Sequence, residues 1–231
     1  MASATSSPQA TGQAYPPTPR TVPTRYRERA RYDRATVHGI LDEALICHVG
    51  YLNGDRPVVL PTTHTRLGET LYLHGSTGSG PMLTAAGPAE GLPVCVTATL
   101  VDGLVLARAA LHHSLKYRSV VVVGSARLVH DSDEKLRALA ALLDHVASGR
   151  STDSRPPNTR ELAATAVLAL DLVEVSAKVR DGGPVDEEDD MTLPHWAGVV
   201  PLTLTAGTPV PADDLDPAVP LPSYLTPYRR L

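Results

Sequence analysis

Short apolar runs rich in Val, Leu and Thr, separated by turn residues, fill the middle of this 231-residue chain. Bounded by turn residues and rich in β-branched side chains, they read as strands. The runs are 44–51, 57–63, 71–73, 94–101, 104–110, 119–129 and 167–179. Asn53-Gly54 supplies two positions tolerant of positive φ and predicts a hairpin joining the first two runs. Asp102-Gly103 predicts a second hairpin between 94–101 and 104–110, and 66–69 reads as a further turn. Gly124, inside a valine-rich run, predicts a bulge or a close backbone approach.

The period changes to that of a helix in a few places. Val37, Ile40, Leu41 and Ala44 predict an amphipathic helix over 33–44. Leu136, Leu139, Leu143 and Val146 form one stripe, with Asp131, Asp133 and Glu134 at its start and Gly149 after its end. Asn158 with Glu161 three residues on has the pattern of a capping box, predicting a helix to about residue 166. A short helix is expected over 82–86. Six or seven strands joined by hairpins, with helices inserted, predict a mainly β fold, an antiparallel barrel with flanking helices. The strand–helix alternation of a doubly wound sheet is missing.

The ends differ from the middle. Residues 1–24 are Ser, Thr, Pro and Ala with few large apolar side chains, so a disordered lead is expected there, and a folded domain over 25–206. The tail 207–231 carries Pro209, Pro211, Pro217, Pro220, Pro222 and Pro227, which exclude a helix or a central strand. A net charge of −4 argues against a nucleic-acid partner. No apolar run reaches the length of a membrane span, and the first residues lack the order of a signal peptide, so a cytoplasmic protein is expected. Cys47 and Cys95 lie in apolar runs and read as buried free thiols. Trp196 is the single Trp of a chain without Phe, and a core anchor is the ordinary role for such a residue.

Candidate chemistry concentrates where His112-His113-Ser114-Leu115-Lys116-Tyr117-Arg118-Ser119 runs into an apolar strand. That cluster sets hydroxyls, a guanidinium, an ammonium and imidazoles at the mouth of a sheet. Anionic and heteroaromatic ligands need this mixture. The loop 75–81, with three glycines and two serines, is expected to expose backbone N–H groups. Adjacent His112 and His113 would face opposite sides of a strand and so do not share a metal ion. The acidic run 186–190 reads as a solvated face.

These blocks, in this order, resemble the pyridoxamine 5′-phosphate oxidase-like flavoproteins, the FMN-binding split-barrel superfamily, and within it the flavin-nucleotide-binding or nitroimidazole-resistance-like branch. The resemblance spans about 31–202. It rests on Leu73-His74-Gly75-Ser76, Cys95-Val96-Thr97, His112-His113-Ser114 with Tyr117-Arg118-Ser119-Val120, Ser176-Ala177-Lys178-Val179-Arg180 and Trp196-Ala197-Gly198. It implies an antiparallel, Greek-key split barrel and a homodimer with FMN in clefts between the subunits. It places His74, Gly75, Ser76, Thr77 and Ser79 near the phosphate and ribityl chain. Ser114, Lys116, Tyr117, Arg118 and Ser119 would lie against the ring and phosphate, with Pro61, Thr62, Thr63 and His64 bordering the ring. Lys178 and Trp196 would complete the cofactor contacts, Trp196 from the dimer interface. His74 is the candidate catalytic proton donor.

Relatives carry a cation just after the Gly-Ser loop where this chain has Gly80-Pro81, so Arg118 or Lys116 is expected to take its place. The activity implied is an FMN oxidoreductase moving hydride or electrons between the flavin and a small organic molecule, with NAD(P)H as a donor. The alternatives are a binding protein for flavin, haem or a deazaflavin without turnover, and a silent structural dimer.

Overall fold

Fifteen-residue runs of valine-rich sequence make the longest strands of the protein, and its barrel is built around them. The computed structural model describes residues 13–85 and 90–226. In chain order the strands are β1 Ala30–Arg31, β2 Ile46–Asn53, β3 Arg56–Leu67, β4 Thr70–Ser76, β5 Leu92–Leu106, β6 Ser114–Leu128, β7 Thr165–Asp171, β8 Glu174–Arg180 and β9 Gly198–Pro201. The helices are α1 Arg34–Glu43, α2 Gly80–Ala85, α3 Ser132–Val146 and α4 Thr159–Ala164. All strand pairs are antiparallel.

The order β7-β4-β3-β2-β5 closes because β6 pairs with both ends of it. β6 also splits. Over Tyr117–Val123 its second edge holds β8, and at Arg127 and Leu128 it holds β7. Gly124 stands at the change of partner, where a Cβ would meet Leu170 Cδ1 at 2.8 Å. That is the close approach the lone glycine predicts. The barrel is filled by Val49, Leu71, Leu73, Val94, Val96, Val120, Val122, Leu168 and Leu170. α1 adds Val37, Ile40 and Leu41 to this core, and α2 adds Met82 and Ala85. The family fold, a split antiparallel barrel with flanking helices, is the one expected.

Local chemistry explains most boundaries. Asp33 caps α1 by accepting from the Thr36 N–H, Asp131 caps α3 from Glu134, and the Asn158–Glu161 capping box is complete. The first hairpin forms as expected, but its loop is Gly54-Asp55 and only Gly54 has positive φ.

Several expectations are overturned. The Asp102-Gly103 turn does not exist: β5 runs straight through, with a register shift between Val101 and Gly103. Asp102 bulges there because its carboxylate is drawn to Arg118. Gly103 stays extended because β9 lies against it, the Val200 carbonyl oxygen 3.0 Å from where a Cβ would be. The run 167–179 is two strands, broken where Leu172 donates to the Glu69 carbonyl. On α3 the face turned inward is Ala138 and Leu142, with Leu139 at its flank, while Leu136, Leu143 and Val146 of the expected stripe are exposed. Ala138 and Leu139 pack there against Tyr72, Val129, Val167 and Ala169 on the barrel exterior.

The expected disordered lead falls partly outside the described residues, but 13–24 are tied down. Tyr15 is buried, its hydroxyl donates to Glu69 and meets His38 Nε2, both at 2.8 Å, and its N–H donates to the Tyr32 carbonyl. Arg20 and Thr18 add bonds to Glu174, and the Tyr32 hydroxyl donates to the Thr21 carbonyl. Of the proline-rich tail, 207–222 runs exposed without strand or helix, and Tyr224 returns it to the body by bonding Asp153 and Arg150. Pro227 and the end of the expected helix at residue 86 lie outside the described residues.

Candidate functional site

Strand alternation sends one set of side chains from β3, β2, β5, β6 and β8 to the outside of the barrel. One row across this face is Pro61, His48, Thr97, Val121 and Ser176, each opposite the next. The neighbouring row runs Thr63 and Ile46, then Thr99, Ser119 and Lys178. Val59, Gly50, Cys95 and Val123 follow on the other side. The face is apolar and uncovered at several points: Ile46 is 50 % exposed and Val59 64 %. Cys95 is on it, so that thiol is exposed, whereas Cys47 points into the core. Burial pushes the Cys47 thiol up to about 12.

Pro61, Thr63, Ser119 and Lys178, expected at the site, therefore share one surface, with His48, Thr97 and Thr99 among them. Their signal was in the sequence: period-two spacing within strands whose pairing had to be known first. Ser119 Oγ donates to the Lys178 carbonyl at 3.5 Å. Thr62, the neighbour of Thr63, has its hydroxyl on the Thr63 carbonyl at 3.4 Å. Tyr117 lies on the outward side with Ser119 and opposite Arg180, which donates to the Leu115 carbonyl at 3.0 Å. Ser114 is exposed and Lys116 half-buried, at the far end of β6.

His74, exposed on β4 opposite Val167, is one residue past the last β3–β4 pair, His64–Leu73. That puts it on the same outward side as Thr63. Neighbouring atoms desolvate its imidazole and hold it below the ordinary histidine value, so it is neutral near pH 7. Five strand spacings separate His74 from Lys178, about 24 Å along the curved surface.

Other expected ligands are engaged. In the Gly-Ser loop the Thr77 N–H donates to the Ala164 carbonyl, Gly78 N–H to Ser76 Oγ and Ser79 N–H to the Ser76 carbonyl. The expectation of free N–H groups is thus corrected for Thr77, Gly78 and Ser79, two of which bond within the loop and one to the end of α4. The loop also packs tightly, since a Cβ on Gly75 would meet Met82 Cε at 3.1 Å and Ser79 Oγ at 3.2 Å. Thr77 lines a cavity of about 410 Å³ with His130, Ser132 and Lys135. Arg118, expected in place of the missing cation, is engaged by two carboxylates. Its guanidinium grips both oxygens of Glu43 and both of Asp102, and these bonds raise its pKa, Glu43 first. His64 is fully buried, with Nε2 at 2.9 Å from the Leu41 carbonyl and its ring 5.0 Å from that of His145. It holds α1 and α3 together and does not face the outer surface. Trp196 is 66 % exposed, not a core anchor, and lies over Gly198, where a Cβ would meet its ring at 2.8 Å.

One clamp was not expected. Asp186, from the supposed solvated run, has a side chain only 1 % exposed. It accepts from the Arg108 and Ala109 N–H groups and from the Arg108 guanidinium. Desolvation works against its charge, but these bonds outweigh it and hold the carboxyl below the ordinary aspartate value. His112 Nδ1 is 3.8 Å away.

A family model described as Pyridoxamine 5′-phosphate oxidase matches residues 33–179. The chain belongs to the pyridoxamine 5′-phosphate oxidase family. No curated protein sequence matches it. Among solved structures, the flavocytochrome Anf3 from Azotobacter vinelandii is 37% identical with a TM-score of 0.85, covering 93% of this chain and 99% of that one. An FAD and heme binding protein from Mycobacterium smegmatis is 36% identical with a TM-score of 0.80, covering 86% and 96%. A candidate 5-nitroimidazole antibiotic resistance protein from Bacteroides thetaiotaomicron VPI-5482, 22% identical with a TM-score of 0.54 over 65% and 86%, shares the fold of this oxidase-family chain. Among the described residues no helix is long and apolar enough to cross a membrane.

Proposed function

We propose that this protein binds a flavin between two copies of itself and passes hydride or electrons between that flavin and a small organic molecule. The observation that carries the reading is the outward sheet face. Apolar side chains at Ile46, Val59, Cys95 and Val121 suit a flat ring, and His48, Thr97, Thr99, Ser119 and Lys178 set polar groups among them. The distance between His74 and Lys178 supports a dimer, because a second copy can bring the His74 end of one chain against the Ser114–Ser119 end of the other. The flavocytochrome and the FAD and heme binding protein support the cofactor class. FMN is the form expected from the family resemblance, and FAD contains the same ring, ribityl chain and first phosphate.

The bound flavin would supply the redox chemistry, accepting a hydride from NAD(P)H or another donor. This chain's residues would position the reactants and exclude water, and His74, neutral at rest, would accept a proton at the edge of the site and pass it on. The two free thiols suit a cytoplasmic setting. A second reading, haem alongside flavin, is favoured by the same two relatives and by the exposed imidazoles of His48 and His74, since haem iron needs an accessible ligand.

The test is the visible spectrum of the purified protein after gel filtration, with the released cofactor identified by chromatography. Retained flavin at a dimer's elution volume, reduced by NAD(P)H and reoxidised by an acceptor, supports the proposal. A Soret band beside the flavin bands supports the second reading. A protein that takes up neither FMN nor FAD overturns both.

A further inference from the structure

The phosphate partners that the sequence suggested are occupied: the loop N–H groups bond within the chain and Arg118 is held by two carboxylates. Positive charge collects instead beyond Lys178, around Tyr26. The Tyr26 backbone is left-handed, with φ 57°, a conformation that costs an aromatic residue energy and is kept only where the surroundings impose it. It places the ring, in a residue 48 % exposed, beneath three cations. The guanidinium carbon of Arg29 is 3.9 Å from the ring centroid, that of Arg25 5.3 Å, and Lys178 Nζ 5.7 Å. Lys178 Nζ also donates to the Arg25 carbonyl at 3.5 Å.

This charge is poorly neutralised. Arg29 meets exposed Glu28 at 3.8 Å, while neither Arg25 nor Lys178 pairs with a described carboxylate. Cation–π contacts with one ring tolerate such crowding without cancelling the repulsion. A multivalent anion would cancel it. The cluster also adjoins the outward face, because Lys178 is paired with Ala30 on one side and with Ser119 on the other.

We propose that Arg25, Arg29 and Lys178, organised by Tyr26, form a binding site for the phosphate or pyrophosphate of a nucleotide. Guanidinium forks and an ammonium gathered round one ring are the donors such a group takes. Arg25 and Arg29 lie outside the 33–179 stretch matched by the family model, so the site is an addition to the family's common core. The inference deepens the flavin reading and rests on it for the identity of the ligand. The phosphate belongs either to the bound flavin or to a nicotinamide donor.

The experiment compares the full-length protein with an Arg25→Gln, Arg29→Gln, Lys178→Gln triple variant, with melting curves checking that both are folded. Inorganic pyrophosphate is titrated into each by calorimetry, which needs no flavin. Affinities for FMN and riboflavin, which differ only in the phosphate, and the KM for NADPH in flavin reduction are then measured. The site predicts at least a tenfold loss of pyrophosphate affinity in the variant, steeper at low ionic strength. A matching loss for FMN with riboflavin unchanged assigns the site to the flavin. A raised KM for NADPH with FMN affinity unchanged assigns it to the donor. Unchanged pyrophosphate affinity overturns the proposal, as does a variant that alters only the elution volume, which would make the cluster a protein contact. A protein that binds pyrophosphate but no flavin refutes the flavin reading and leaves the anion site standing.

Discussion

Arg118 sits between the end of α1 and the bulge of β5, holding Glu43 and Asp102 at once. Replacing it by Met leaves two half-buried carboxylates facing each other. The expected cost is about 1–2 kcal/mol, reduced by the water that still reaches them, and is read as a lower melting temperature. If the two carboxylates keep Arg118 from serving as a phosphate ligand, the same variant keeps the wild-type preference for FMN over riboflavin; a lost preference would return Arg118 to the phosphate site. Its sequence neighbours advertised a ligand-binding cation. Its real partners lie 75 and 16 residues away, and only the fold sets them side by side. Glu134 is a second residue-scale case. Bonds from Arg127 first, and from the Tyr72 hydroxyl, overcome desolvation and hold its carboxyl below the ordinary glutamate value. A folded pKa below the unfolded one gives stability that is present above the unfolded value, near 4.3, and is lost as pH falls through the lower folded value. Glu134→Gln should therefore cost about 1 kcal/mol at pH 7, discounted for the exposure of Arg127. As pH falls from the unfolded value through the lower folded one, the two proteins should converge, which acid titrations of denaturant midpoints measure.

At the scale of elements, caps and periods were legible where a single residue decides them, as at Asp33, Asp131 and the Asn158–Glu161 box. They misled where tertiary partners decide. Asp102-Gly103 has the composition of a tight turn, yet β6 and β9 pair along both edges of β5 and keep it extended. The acidic run misled in the opposite direction, because one of its five carboxylates is buried. Asp186 fastens the 181–190 segment to the stretch that precedes β6, and with it the approach to Trp196. Asp186→Ala should release that segment and leave the barrel intact. Amide exchange over 182–197 should accelerate several-fold, with β2 to β6 unchanged. Unchanged exchange in 182–197 would show that other contacts hold the segment.

At the scale of the whole molecule, the barrel interior and exterior were both written in the strand pattern, but their roles were not equally readable. Inward valines and leucines need only alternate to announce a core. The outward set, from Pro61 to Ser176, becomes a surface only after five strands are in register. Its apolar residues are what a monomer gains least from exposing. If a second copy covers this face and completes the flavin site, a charge placed at its centre should undo both together. Val59 is well exposed and outside the core, so Val59→Asp should leave the circular dichroism and the fold of the protomer unchanged. The variant should elute as a monomer where the wild type elutes as a dimer, and the flavin should be lost in the same step. A monomer that keeps its flavin would confine the site to one chain. A variant that stays dimeric and yellow would place the subunit contact elsewhere on the barrel, and the outward face would then have to be explained by a different ligand.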